Sequence, residues 1–391
     1  MMKAANRTKN VKYAIRDIAA LAKQVEKEKN VIYLNIGDPN RYDFDTPKHL
    51  KKALINAVNK RHNYYADSQG MNEAIEAIVK HNKKIGIETD EKSVLITFGA
   101  SEGINISIAS LLNRGENMII SRPSYPVYSA YLDLFECEKR FYTLDEENEW
   151  NLDVDDIEKQ IDENTKAVVI INPNNPTGGV YSKKALEQLV NLAGQNNIVI
   201  FSDEIYDDLI LEGEMHHIAS FSKEVPVITF NGLAKNFLAP GWRTGWLAIT
   251  DREQKLAEVK DAIMQIARSR LCASTPQQFA IKPALEKKKS HINEVKKKLR
   301  KRRDLTYKRI NEIDGISLTK PRAAFYAFPK IDFEIDDKEF AINLLKEEGV
   351  AVVHGSGFDM SSHFRLVYLP PEKILNDAFN RIERFVKKVK K

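Results

Sequence analysis

The stretch KAVVIINPNNPTGGVYS, residues 166–182, contains the unit that repeats to build the fold. An apolar run of strand length ends at Asn172, and a turn rich in Asn, Pro and Gly follows it. After Ser182, apolar residues recur at the spacing of one helix face until Gly194. That face consists of Leu186, Leu189, Val190 and Ala193. The stretch therefore predicts a buried strand followed by a helix.

Similar apolar runs occur on both sides of this unit and alternate with helical patterns. The other runs are SVLITF, NMIIS, NIVIFS, PVITF and WLAI. A second helix is predicted between Gly99 and Gly115, and a third begins where Thr46 is expected as N-cap and Pro47 as the first helical residue. This alternation favours βα units, hence an α/β fold with a mainly parallel sheet.

The length and a change of pattern predict how the chain is divided. A chain of 391 residues is long enough for a large sheet domain and a smaller one. From about residue 286 a long basic helix leads into short strand-like runs, which is typical of a small α+β unit. We expect a segment 1–45 that packs with this unit, a large domain 46–285 and a small domain 286–391.

Charge gives little sign of a nucleic-acid partner. The net charge of +5 comes from 60 basic and 55 acidic side chains, which is a weak field. Residues 287–304 are strongly basic, but Ile292, Val295 and Leu299 recur through them at helical spacing. The segment is interpreted as the solvated face of an amphipathic helix, with a nucleic-acid patch as the alternative.

Targeting, membrane and metal signals are not evident in the sequence. The N-terminus has no apolar stretch of signal-peptide length, and no segment approaches the ~18 apolar residues of a membrane helix. Cys137 and Cys272 lack metal-ligand spacing and are expected to be reduced core residues. His216 and His217 are interpreted as a surface loop. We therefore predict a cytoplasmic protein without a metal site.

The residues that follow the strands are the ones that bear chemistry. Ligands of open parallel sheets bind beyond the carboxyl ends of the strands. The residues at these ends include Ala100, Ser101, Tyr125, Asn175, Asp203, Tyr206 and Lys235. Arg243 follows Lys235 by eight residues. Together they predict a site for an anionic aromatic ligand that reacts with an amine.

Several motifs, in order along nearly the whole chain, resemble those of the fold type I aminotransferases that use pyridoxal 5'-phosphate. The motifs are NPNNPTGGVYS, SDEIYDDL and NGLAKNFLAPGWRTGW, and YAIRD, LNIGDP, HNYYADSQG, RPSYPVY, RLC and HGSGF are similar to the alanine aminotransferase branch. The resemblance implies a seven-stranded, mainly parallel sheet in the large domain. It also implies a cofactor that does the carbonyl chemistry.

The resemblance assigns cofactor roles to residues at the strand ends. Lys235 would bind the cofactor aldehyde as an imine and then act as general acid and base. Asp203 would keep the pyridine nitrogen protonated, while Tyr206 and Asn175 would donate to the ring oxygen. Tyr125 would stack on the ring. Ala100 and Ser101 at a helix N-terminus, together with Arg243, would bind the phosphate.

The resemblance also implies a homodimer and a substrate subsite. Tyr65 would reach the phosphate of the neighbouring subunit. Arg365, helped by Gly37 and Asn175, would receive the substrate α-carboxylate. Arg270 would either serve the side-chain carboxylate of glutamate in the partner's site or form a structural ion pair at the subunit interface. Many relatives have a serine before the lysine, where this chain has Ala234.

The resulting hypothesis is amino-group exchange between alanine and 2-oxoglutarate, yielding pyruvate and glutamate. An aspartate or broad-specificity aminotransferase and a cofactor-dependent lyase are alternatives within the same fold. A regulatory binding protein that has lost turnover is an alternative from another class, but it would have no need for the reactive Lys235. Amino acids and 2-oxo acids are therefore the expected partners, with no nucleic acid and no membrane.

Overall fold

The computed structural model of the protein describes residues 2–11 and 13–390. Its α-helices are α1 (Ala14–Val25), α2 (Lys48–Asn59), α3 (Asn72–Lys84), α4 (Ala100–Leu111), α5 (Pro126–Leu134), α6 (Val154–Glu158), α7 (Lys183–Gln195), α8 (Ala257–Ser269), α9 (Thr275–Gln278), α10 (Ile281–Glu286), α11 (Ser290–Asn311), α12 (Asp337–Glu348) and α13 (Glu372–Val389). Short 3-10 helices are Asn6–Thr8, Pro39–Arg41, Glu91–Ser93, Ile218–Ser220, Pro240–Trp242 and Gly355–Phe358.

The strands are β1 (Ile32–Tyr33), β2 (Val94–Thr97), β3 (Asn117–Arg122), β4 (Glu138–Thr143), β5 (Thr165–Ile171), β6 (Val199–Asp203), β7 (Val227–Gly232), β8 (Gly245–Thr250), β9 (Ile316–Ser317), β10 (Tyr326–Ala327), β11 (Lys330–Ile331), β12 (Val350–Ala351), β13 (Val353–His354) and β14 (Phe364–Val367). Among the described residues, no helix combines the length and the apolar character that a membrane span requires.

Seven strands form the central sheet, in the order β2-β8-β7-β6-β5-β3-β4. All neighbours pair in parallel except β8, which is antiparallel to both β2 and β7. The predicted seven-stranded, mainly parallel sheet is therefore confirmed. Strand β4 was not among the predicted apolar runs, because it lies at the sheet edge and its side chains are mostly half-buried.

Helices cover both faces of the sheet, which explains why its inner strands are continuously apolar. Along β5, Val168 and Ile170 face a core that contains Leu186 and Leu189 of α7. Their neighbours along the strand face the opposite core, which contains Ile104 of α4. The predicted stripe of α7 is buried as expected, and Ser182 accepts the Ala185 amide as its N-cap.

The C-terminal part builds a second core with the N-terminal segment. Helices α11, α12 and α13 enclose the antiparallel strands β10-β14-β13. Strand β1 pairs in parallel with β12, and Leu34 and Phe44 lie in the same core. The division of the chain at residues 45 and 285 stays a prediction, which the pairing of β1 with β12 supports.

Two local predictions can be compared directly with the structure. The basic segment forms the amphipathic helix α11, in which Ile292, Val295 and Leu299 are buried, as predicted. The predicted N-cap at Thr46 is wrong. Helix α2 begins at Lys48, and the Thr46 hydroxyl donates instead to the carbonyl of Leu238 at 2.6 Å. A buried loop carbonyl needs a donor, and that need decides the orientation of Thr46.

Candidate active site

The carboxyl ends of the parallel strands open onto a cavity of about 180 Å³ between the sheet and the C-terminal part. Ten of the twelve predicted site residues line it, and they come from elements spread over the whole chain. They are Gly37, Ala100, Ser101, Tyr125, Asn175, Asp203, Tyr206, Lys235, Arg243 and Arg365. The fold therefore brings most of the predicted set into one place, as expected for an open parallel sheet.

Lys235 lies in a compact loop after β7, with its amine in the cavity. The loop closes on itself because the Leu238 amide donates to the Lys235 carbonyl and the Ala239 amide donates to the Leu233 carbonyl. The Lys235 amine donates to the carbonyl of Gly37 at 2.9 Å. No carboxylate among the described residues forms a salt bridge with it, so the amine is accessible to a ligand.

Asp203, the last residue of β6, is a carboxylate enclosed at the floor of the cavity. It is 3 % exposed, and burial raises its pKa to about 7. It accepts the Ile205 amide at 3.3 Å and the Tyr128 hydroxyl at 3.5 Å. No cation within the described chain pairs with it, so this carboxylate suits a cationic nitrogen of a bound ligand.

Tyr206 follows Asp203 by one turn and is joined to a residue that the sequence analysis missed. Its hydroxyl lies 3.0 Å from the hydroxyl of Tyr326. The ring of Tyr326 also lies beneath the guanidinium of Arg365, 4.7 Å from the ring centroid. Tyr326 stands in a short apolar strand, β10, and its surroundings in the sequence carry no chemical signal.

The start of α4 and the side chain of Arg243 form a cationic end of the cavity. A Cβ on Gly99 would lie 2.4 Å from Arg243 Nη2, and Gly99 has a φ of +75°. Glycine is therefore required for the guanidinium to approach the helix N-terminus. Because α4 presents backbone amides there and Ser101 adds a hydroxyl, this end fits a phosphate group.

Arg365 of β14 is a buried cation with an open hydrogen-bond donor. It is 1 % exposed, which excludes a partly exposed strand position. Its Nη1 donates to Asn175 Oδ1 at 3.1 Å, and its Nη2 donates to the carbonyl of Asn35 at 2.7 Å. Within the described residues its Nε has no partner, and neither does the buried side-chain amide of Asn35. Such groups fit a carboxylate ligand.

The N-terminal segment closes one side of the cavity. The Tyr125 hydroxyl lies 2.9 Å from that of Tyr13, and the two rings pack edge to face. Tyr13, Ile15 and Arg16 also line the cavity. All three residues belong to the motif YAIRD, to which the sequence analysis assigned no role in the site.

Tyr65 and Arg270 do not line the cavity of this chain. Tyr65 is 79 % exposed. The Arg270 guanidinium donates to the Ile96 carbonyl at 2.7 Å and lies 3.2 Å from a carboxylate oxygen of Glu102. Within a single chain, Arg270 thus forms a mostly buried ion pair with Glu102, and Tyr65 lies on the surface.

His217 lies in a loop, as predicted, but its side chain is only 16 % exposed and is not a free surface group. Its Nδ1 lies 2.6 Å from the carboxylate of Glu204, which is buried. This contact raises the pKa of His217 to about 9 despite the opposing effect of burial. The sequence could not indicate this pair because strand β6 and the loop before Ile218 are brought together only by the fold.

Comparison with known proteins identifies the relatives of this chain. A family model, "Aminotransferase class I and II", matches residues 29–382. A "Glutamate-pyruvate aminotransferase AlaA" of Haemophilus influenzae is 37 % identical to this chain, and the match covers 93 % of each of the two sequences. The protein of the same name from Escherichia coli strain K12 is 36 % identical over 97 % of both.

A solved structure of an alanine aminotransferase from Pyrococcus furiosus superposes with a TM-score of 0.97. It is 44 % identical and covers 99 % of this chain and 100 % of its own. The predicted resemblance to the alanine aminotransferase branch is thereby confirmed. The chain belongs to the class I and II aminotransferases, a family that depends on pyridoxal phosphate.

Proposed function

We propose that this protein is a pyridoxal 5'-phosphate-dependent alanine aminotransferase that exchanges the amino group between alanine and 2-oxoglutarate. The observation that carries the proposal is the cavity in which three groups converge: a lysine amine without a carboxylate partner among the described residues, a buried carboxylate and a buried guanidinium. The substrate pair is supported by relatives, 36 to 44 % identical, that are named glutamate-pyruvate or alanine aminotransferases.

The donor set of the cavity fits the cofactor at both of its ends. Ser101, Arg243 and the first amides of α4 would bind the phosphate, while Asp203 would hold a proton on the pyridine nitrogen. Tyr206 and Asn175 would donate to the ring oxygen, and Tyr125 would stack on the ring. When bound, pyridoxal phosphate supplies an aldehyde that takes up an amine and a ring that withdraws electrons from the substrate Cα.

The protein's own residues would bind the substrate and move one proton. Arg365 would hold the α-carboxylate through its open Nε and its Nη groups, which fixes the orientation of the substrate Cα. The Lys235 amine would take the proton from the substrate Cα as a base and then give it up again as an acid.

We also propose a homodimer. Large apolar side chains are exposed on and near α2 and on the loop around Leu271. They are Ile55, Val58, Tyr64, Tyr65 and Leu271. Because monomers rarely expose several such side chains together, a second copy is the partner that would cover them. Tyr65 would then reach the neighbour's phosphate, and Arg270 could approach the neighbour's substrate.

A cytoplasmic location belongs to the same proposal. Cys137 and Cys272 are both free in the structure, which agrees with a reducing compartment. Fractionation of the source cells tests this location, and recovery of the protein outside the cytoplasmic fraction would reject it.

The test of the function is a substrate panel on the purified protein, with its visible spectrum recorded. We expect absorption from bound pyridoxal phosphate, and formation of pyruvate from alanine only when 2-oxoglutarate is present. Faster reaction with aspartate or an aromatic amino acid would reject the alanine assignment and favour a broad-specificity enzyme. A protein that binds the cofactor without transferring amino groups would indicate a binding protein.

A further inference from the structure

The turn after β6 has two chemically different sides. Asp203 and Tyr206 line the cavity, whereas Glu204 and Asp207 do not. Glu204 accepts the Ser202 hydroxyl at 2.8 Å and the ring of His217 at 2.6 Å. The same short turn thus places the two predicted cofactor-binding residues in the cavity and two further carboxylates outside it.

Asp207 lies outside the cavity and contacts the chain on both sides of the lysine loop, the loop after β7 that carries Lys235. One of its carboxylate oxygens accepts the Asn231 side-chain amide at 3.0 Å, and the other accepts the Asn236 side-chain amide. These asparagines stand four residues before Lys235 and one residue after it. Asn231 also accepts the Gly232 amide at 2.7 Å through its own oxygen. One carboxylate therefore brackets Lys235.

The charges around Asp207 come from several elements. His217 and Lys289 are cations that favour its ionised form, while Glu204 and Asp208 oppose it, and burial has the largest effect and raises its pKa. Ligand atoms of Glu204, Asp207 and His217 lie within 4.8 Å of one another. Since His217 Nδ1 and both Asp207 oxygens already have protein partners, a hydrogen-bonded ionic network accounts for this cluster without a metal ion.

We propose that Asp207 is a positioning residue for Lys235: it holds Asn231 and Asn236, which flank Lys235 in the chain, and so fixes the backbone that carries the reactive amine. The meaning of this for catalysis rests on the proposed function, but the order of the loop does not. A carboxylate that ties the cofactor-binding turn to the lysine loop fixes the two against each other, and reaction geometry is sensitive to shifts of an ångström.

The matched variants are Asp207→Asn and Asp208→Asn. The first keeps the shape of the side chain but replaces one acceptor oxygen by an amide, which cannot accept from both asparagines. The second changes the neighbouring carboxylate, whose partner is Lys289 rather than the lysine loop. Hydrogen exchange is measured on the full-length protein freed of pyridoxal phosphate, at the amides of Leu238 and Ala239.

We expect these amides to exchange about tenfold faster in Asp207→Asn and at the unchanged rate in Asp208→Asn. With pyridoxal phosphate bound, the pH midpoint of its visible absorption should shift by about one pH unit in Asp207→Asn alone. Asn231→Ala removes the hydrogen bond between the Asn231 side chain and Asp207. It should also accelerate exchange at these amides, and it provides the test if Asp207→Asn does not fold.

Equal exchange rates in the two aspartate variants would overturn the proposal. Faster exchange in Asp207→Asn in a protein that does not absorb with pyridoxal phosphate would support the positioning of the loop and reject the proposed function. The two ideas can therefore fail separately.

Discussion

Two buried arginines show how the site differs from the rest of the interior. Arg303 of α11 is 2 % exposed, and each of its nitrogens has a partner: Nε donates to Asp304, Nη1 to the Pro321 carbonyl and Nη2 to Glu212. Arg365 is as deeply buried, but its Nε has no partner among the described residues and its other donors contact neutral oxygens.

The partners of the two guanidinium groups distinguish a structural cation from one that is available to a ligand. Burying a charge without an ionic partner is costly, so evolution of a stable core favours the arrangement around Arg303. Under the proposed function, the arrangement around Arg365 and the burial of Asp203 without a cation would stabilise a bound ligand rather than the chain.

Among the cavity residues, replacing Lys235 by Ala should have the largest effect on the rate of amino transfer. We expect amino transfer to fall by about 10⁴-fold because the proton carrier is lost, with no loss of folding. The measurement is pyruvate formation from alanine together with thermal unfolding. The control is Lys184→Ala, since Lys184 lies exposed on α7. Retained activity in the Lys235 variant would contradict the proposed mechanism.

Replacing Asp203 by Asn should reduce amino transfer by about 10³-fold, because a neutral amide cannot stabilise a charged ring nitrogen. In the absence of the cofactor, the same substitution should stabilise the folded protein above pH 7. The pKa of Asp203 rises on folding from 3.8 to about 7, so the native state binds the extra proton and stability falls as pH rises across this window.

Urea unfolding of the cofactor-free protein at several pH values checks this second effect. Asp203→Asn should remove the decline between pH 3.8 and about 7 and should be more stable than the wild type above pH 7. An unchanged pH dependence would show that Asp203 has a cationic partner even without the cofactor.

Exchanging each buried arginine for lysine compares the two regions directly. Arg365→Lys should lower kcat/KM for alanine by about 100-fold through misplacement of the substrate, with little change in unfolding free energy. Arg303→Lys should lower the unfolding free energy by about 3 kcal/mol, because an amine cannot reach all three partners. Similar stability losses in both variants would contradict the distinction.

Tyr326→Phe tests the contribution of a single hydroxyl group within the cavity. It removes the hydroxyl that meets Tyr206 and keeps the ring beneath Arg365. We expect kcat to fall about tenfold through the loss of one buried hydrogen bond, with the KM for alanine unchanged. The steady-state parameters measure this split, and a rise in KM alone would assign Tyr326 to Arg365 instead.

His217→Gln should have the smallest effect, a loss of about 1 kcal/mol of stability. The pKa of His217 rises on folding from 6.5 to about 9, so its ion pair with Glu204 contributes fully below pH 6.5 and is lost as pH rises through about 9. Unfolding of both proteins at pH 6 and pH 10 should show the difference only at the lower value.

Much of the fold follows from the sequence because it depends on local chemistry. The apolar runs, their turn residues and the helical stripes predicted six of the seven sheet strands and two of the helices between them, α4 and α7. The edge strand β4 was missed because a half-exposed strand has no continuous apolar run. Since parallel strands end at one edge of a sheet, the sequence also indicated which loops would meet.

What the tertiary structure alone decided is which side chains face each other across these loops. Arg365 contacts Asn175 from 190 residues away, and Lys235 reaches the carbonyl of Gly37 from 198 residues away. The roles of Tyr326, His217 and Asp207 likewise depend on partners from distant elements. No local pattern encodes such pairs, because they arise from the packing of the C-terminal part and the N-terminal segment against the sheet.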